Sequence, residues 1–342
     1  MKPSRILLVL ALTTLVAGVA YVGQTSESTG AKMVRAAERF LASLTPDQRQ
    51  RAVFGFDDKE RFNWHFIPLQ HENKTPKRKG VRLEEMNPDQ REAALELLRS
   101  GTSHEGFTQA TTIMSLESIL HDLEKGRGAV RNPGWYFFTI FGTPSRMEKW
   151  GWRVEGHHLS LNFVVDKGVV TAATPAFFGA NPAVIKQGPK NGARVLPEAE
   201  DLARVLQQSL TDDQRKSAHQ QEQFPEIQGN RRDPSVGEPC GVPGSQLTET
   251  QRRLLLRLLE SYSRRLSSDI ADAQMAEIRR SGLDGVYFAY AGELRDGSPH
   301  TYRIRGPSFV VEFLNVQSDS AGNPANHIHS AWRSLKGDFA AD

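Results

Sequence analysis

The chain has 342 residues, 38% hydrophobic and 24% charged, which is the composition of a folded globular protein and excludes a disordered one. Its 43 Lys and Arg against 40 Asp and Glu leave a net charge of +3, too small an excess to argue for nucleic acid. The length suffices for two core-forming domains or one large one, and the single cysteine, Cys240, excludes an intramolecular disulfide.

At the N-terminus, Lys2 and Arg5 precede an apolar run from Ile6 to Ala20. A positive flank, a short apolar stretch and a small-residue end predict a secretory signal over residues 1–20, with an uncleaved anchor as the alternative. Residues 21–32 read as a linker, and the basic run Lys74 to Arg82 as a solvated loop.

Four helix starts share one pattern, Thr or Asn followed three residues later by Gln-Arg. They stand at Thr45, Asn87, Thr211 and Thr248. Each reads as a capping box, with Pro46 and Pro88 at the first helical position. The starts fall in two pairs, 42 and 37 residues apart, and helical patterns cover 88–99, 108–124, 249–265 and 268–280. After each pair come aromatic strand patterns, 134–141, 149–156 and 157–165 in one half and 285–290, 301–306 and 307–313 in the other. Arg153, Gly156 and Phe163 match Arg303, Gly306 and Phe313 at a constant offset of 150, and Asn-Pro-Ala recurs at 181–183 and 323–325. The expected fold class is α+β: two diverged copies of a helices-then-antiparallel-meander unit, 33–195 and 196–342, packed about a pseudo-two-fold axis. The Pro/Gly-rich segment 220–247 reads as a lid or strap.

Four of the ten histidines form two close groups, His157-His158 and His327-Ile-His329. In a strand, His327 and His329 would point to one face and supply half a metal site. Alternation after Gly156 sets His157, Leu159, Leu161 and Phe163 toward the core and leaves His158 on the polar face. Glu312 stands in an otherwise apolar strand and needs a partner, either a cation or an arginine. His158 and Glu312 therefore compete for the third ligand position: two histidines and a carboxylate suit iron, and three histidines suit copper or zinc. Aligning the Asn-Pro-Ala triplets sets Ile185 and Gln187 opposite His327 and His329. Arg153 and Arg303, beside aromatic residues, are candidates for holding an anionic substrate, with a structural ion pair as the plainer role. His65 reads as a packed or supporting histidine; His71, His104, His121, His219 and His300 read as surface residues. No serine-hydrolase elbow, P-loop, zincin motif or dinucleotide fingerprint is present in the sequence.

The run Trp150-Gly-Trp-Arg-Val-Glu-Gly-His-His-Leu-Ser-Leu-Asn162, with Thr174-Pro-Ala-Phe-Phe-Gly-Ala-Asn-Pro182 and Asn326-His-Ile-His-Ser-Ala-Trp-Arg333, resembles the uncharacterised family catalogued as domain of unknown function 3500. The resemblance spans residues 33–340 and coincides with His157, His158, His327 and His329, but implies no reaction. The residues themselves lead to an exported metal-dependent enzyme acting on a small molecule. A copper or iron oxidoreductase is favoured and zinc is the further option. The alternative is a non-catalytic metal- or ligand-binding protein of the cell envelope. No membrane contact is expected beyond an N-terminal anchor.

Overall fold

In the computed structural model, which describes residues 27–341, the α-helices run α1 (Thr29–Ser43), α2 (Pro46–Ala52), α3 (Pro88–Gly101), α4 (His104–Glu124), α5 (Pro197–Ser209), α6 (Asp212–Ala218), α7 (Glu249–Ser263) and α8 (Ser268–Ser281). The segment read as a signal peptide lies outside the described residues. All four predicted starts carry complete capping boxes, opening α2, α3, α6 and α7. The box glutamines also pair with one another. The Gln48 and Gln90 amides exchange hydrogen bonds of 3.3 and 2.7 Å, and those of Gln214 and Gln251 exchange bonds of 3.0 and 2.9 Å. Each pair locks two helix starts together through buried amides whose polar atoms would otherwise be costly to bury.

Residues 29–32, expected in a linker, form the first turn of α1. Ser28 caps it, and Met33, Ala37 and Phe40 bury its apolar face. Gly30 comes so close to the 167–168 turn that an added Cβ would stand 2.1 Å from the Gly168 carbonyl oxygen. No described helix is long and apolar enough to cross a membrane.

The strands are β1 (Val53–Phe54), β2 (Val81–Arg82), β3 (Phe137–Phe141), β4 (Trp150–Gly156), β5 (Leu159–Asp166), β6 (Val169–Ala172), β7 (Ala176–Ala180), β8 (His219–Gln220), β9 (Val242–Pro243), β10 (Tyr287–Gly292), β11 (His300–Arg305), β12 (Phe309–Gln317) and β13 (His327–Ser334). They form one 13-stranded sheet in the order β1-β3-β4-β5-β7-β13-β12-β11-β10-β8, with β2, β6 and β9 pairing at its sides. At its centre β7 and β13 run antiparallel, Ala180 opposite Ile328 and Ala176 opposite Trp332. The chain is thus α+β, as its patterning predicts. The two Asn-Pro-Ala triplets lie at the same end of this antiparallel pair but at different places in their units, 181–183 following β7 and 323–325 preceding β13. Ile185 and Gln187 follow a strand whereas His327 and His329 lie within one, so the two pairs do not occupy corresponding positions.

Strand alternation divides the interior in two. Leu159, Leu161, Phe178, Ile328 and Trp332 join the helices in a large core. On the other face, Phe177, Leu314 and Ala331 meet Trp64, Phe66, Ile227 and Phe339 in a small aromatic core. Two long connections cover that face, residues 55–79 and 221–241. They touch where Asn230 N–H donates to the Trp64 carbonyl at 2.7 Å and the Trp64 indole donates to the Arg231 carbonyl at 3.0 Å. The second connection is the strap expected from its composition.

Candidate metal centre

The site forms where the β4–β5 turn meets the start of β13. His157 and His158 are the two turn residues between Gly156 and Leu159, rather than the first residues of a strand. His158 sits at φ 62°, a left-handed conformation uncommon outside glycine and of the kind found strained at functional sites. Its backbone is pinned on both sides: its N–H donates to the Phe66 carbonyl at 2.8 Å, and its own carbonyl accepts from Gly179 N–H at 2.8 Å. His327 and His329, two apart on β13, project to the strap side as their spacing predicts.

Three imidazoles converge. His158 Nε2 lies 2.8 Å from His327 Nε2 and 3.2 Å from His329 Nε2, and one ligand atom of each falls within 4.8 Å of the other two. A tetrahedral ion with bonds near 2.0 Å would set its nitrogens about 3.3 Å apart, so the spacing fits with small adjustment. A proton shared at His158 could satisfy one of its two short contacts. A cation at the centre satisfies all three lone pairs.

The outer nitrogens explain why the lone pairs face inward. His329 Nδ1 is 2.9 Å from each oxygen of Glu226, so it holds the proton and leaves Nε2 bare. The Asn181 amide stands 3.4 Å from His327 Nδ1, and Asn181 Oδ1 is buried with no other partner. Turned to face the ring, that oxygen would accept from Nδ1–H and fix the same tautomer. Phe66 and Phe177 wall the site, their ring centroids 5.2 and 5.7 Å from that of His329.

Burial pushes the His158 pKa well below the usual imidazole value, helped by the neighbouring His157, His327 and His329. Burial first, and then the neighbouring His329, His157 and Arg131, lower His327 to about 2. Both rings are therefore neutral at pH 7 and available as ligands. One consequence is acid sensitivity. The folded-state values are depressed, so the unfolded chain takes up protons first. The stability contributed by the neutral rings is present above about pH 6.5 and is lost as pH falls from there toward the folded values. Chelator-treated protein should therefore show a lower urea midpoint at pH 5 than at pH 7.5, and His327→Ala should shrink the difference. Equal midpoints for the unsubstituted protein would contradict it.

The remaining candidates take other places. The His157 ring packs against that of His158, tilted and with centroids 3.7 Å apart, but its Nδ1 faces Glu117 at 2.5 Å and Arg131 at 3.3 Å. It backs a ligand and does not join the three. Glu312 lies opposite Arg303 across β11–β12 and bonds it at 2.8 Å, so the arginine, not a cation, balances its charge. Arg303 also donates to the Val236 carbonyl at 3.0 Å. Arg153 bonds Glu60 at 2.6 Å and the carbonyls of Glu60 and Asn63 at 3.0 and 3.1 Å. Each guanidinium thus already holds a carboxylate and a strap carbonyl, which is the structural ion-pair role, with its Nε left without a hydrogen-bond partner. His65 is half-buried, its Nε2 3.0 Å from Asn63 Oδ1. His71, His104, His121 and His219 are exposed as expected. His300 is not: it is fully buried between the rings of Tyr290 and Phe313, with Nδ1 on the Ser298 carbonyl at 2.9 Å.

Sequence reasoning missed Glu226, Asn181 and Glu117. The last had a legible signal: it falls between Met114 and Leu120 at helical spacing, a carboxylate on an apolar stripe. Glu226 had none, because nothing in its own segment says which strand the strap will cross.

An α+β protein with a three-histidine group able to hold a metal ion is what the fold and site define. The chain belongs to the family described as "Protein of unknown function (DUF3500)", whose model matches residues 26–341. No curated protein and no solved structure matches it.

Proposed function

We propose that the protein is an exported, metal-dependent enzyme whose centre is one ion held by His158, His327 and His329, with coordination open to a small-molecule substrate. The observation that carries this reading is the convergence of three buried or half-buried Nε2 atoms, one of them with its outer nitrogen tied to a carboxylate. The donor set favours copper, then zinc, over iron, because Glu312 is taken by Arg303 and Glu226 faces the outer side of its histidine. When bound, copper would supply oxidoreductase chemistry at an open position, and zinc a water of lowered pKa. Glu226 orients His329, the Phe66–Phe177 wall excludes water on one side, and the half-exposed edge of His327 is the approach for substrate. Export rests on the positive flank and apolar run of residues 2–20.

The reading extends to a two-copy origin, with units 33–195 and 196–342. In support, the sheet order runs inward from β1 to β7 on one side and from β8 to β13 on the other. Arg153 opposite Asn162 and Arg303 opposite Glu312 occupy the same place in their hairpins.

The test is elemental analysis after loading with copper, zinc or iron and dialysis. About one ion per chain is expected, lost in a folded His327→Ala/His329→Ala variant. For the copper form, azide should shift the electron paramagnetic resonance spectrum. No retained metal across the three loadings would sink the metal reading. A spectrum unmoved by azide would mean a closed site and favour the non-catalytic binding protein.

A further inference from the structure

Arg265, between α7 and α8, is 3% exposed. It donates to the Ser261 carbonyl at 3.1 Å and reaches Ser330 Oγ at 3.5 Å, and its Cζ lies 4.3 Å from the Tyr262 ring centre and 5.2 Å from that of Phe178. The buried guanidiniums of Arg78, Arg153, Arg303 and Arg333 each hold a carboxylate, and that of buried Arg61 is satisfied by the carbonyls of Phe56 and Phe339. Among the described residues Arg265 holds no carboxylate; the nearest acidic influences on it, Glu105 and Glu198, act only at a distance. A buried charge without a counter-ion is costly, and a ligand can supply the missing one.

The space around it fits such a ligand. A cavity of about 10 Å³, room for one water-sized group, lies against Arg265, Tyr262 and Phe178. Gln274 and Trp332 form a wall of that cavity and also of an open groove of about 440 Å³, within the size range of small-molecule sites. Val170, Ile278 and Phe309 give the groove an apolar lining. The Gln274 Oε1 atom at the shared wall is buried without a hydrogen-bond partner, so no hydrogen bond through that oxygen holds the amide in its present orientation. Ser330 and Trp332 point to the helical side of β13 while His329 points to the strap side, so this place is separate from the histidine centre.

We propose that the groove binds an aliphatic monocarboxylate, its chain along Val170, Ile278 and Phe309 and its carboxylate on Arg265. Gln274 turns aside to admit the head group and donates to it through its amide nitrogen. The ligand thus provides the counter-ion that Arg265 lacks.

Calorimetric titration of the full chain with octanoate and with 1-octanol tests this. Octanoate is expected to bind at least about tenfold more tightly than the alcohol, as a charged hydrogen bond implies. Arg265→Met should remove that preference. Ala273→Trp, at an exposed position on the groove side of α8, should abolish octanoate binding without touching the interior. Equal affinity for the two probes, no octanoate binding, or undiminished binding in either folded variant would overturn the proposal. If Arg265→Met fails to fold, the probe comparison and Ala273→Trp decide it.

Discussion

Chelator-stripped protein carrying His158→Ala is expected to bind copper or zinc more than about 100-fold more weakly than the unsubstituted chain, exceeding the loss from any outer residue. His158 is the imidazole in short contact with both others, so its removal leaves two nitrogens on one strand and no third direction. Glu226→Gln should cost less, about 10–100-fold, because His329 remains while its tautomer is no longer enforced. Glu312→Gln should leave affinity unchanged, since that carboxylate belongs to Arg303. Competition titration against a chromophoric chelator ranks the three. A Glu312 variant weaker than the Glu226 variant would reverse the assignment of ligand and ion-pair roles.

The second large effect is on stability. Glu312→Ala should destabilise the fold by about 3–5 kcal/mol, because it strands the Arg303 guanidinium with side chains around it and no counter-charge. Replacing both residues by apolar ones of similar volume should recover most of that loss. Urea unfolding of the two variants measures it. A Glu312→Ala midpoint equal to that of the unsubstituted chain would mean that the pair contributes nothing beyond its own desolvation.

Much of this molecule is written locally, and that part is legible. A capping box needs four consecutive residues, and all four boxes form as read. The spacing of His327 and His329 fixes their shared face by the pleat alone. Less is legible where a distant segment decides the outcome, or where a local element lacks a marked signature. α1 and α5 lack the Gln-Arg signature and passed unread. His300 has polar neighbours in sequence, yet the sheet register sets it between two aromatic rings. Alternation alone carries a strand through His157 and His158, and the two-residue turn before Leu159 breaks it. Glu312 had two available partners by chemistry, and only the β11–β12 register chose Arg303.

The histidines draw together positions 169 and 171 residues apart, His158 with His327 and His329. A chain with one cysteine has no covalent means of closing so long a loop. An ion at this point would do so reversibly, restricting the unfolded ensemble as a disulfide does while remaining removable by a chelator. It would also be taken up late in folding, since no ligand set exists until β7 and β13 have paired across the centre of the sheet. Metal uptake by the nascent chain would then report the closing of that seam, and slow seam formation would appear as slow metal capture.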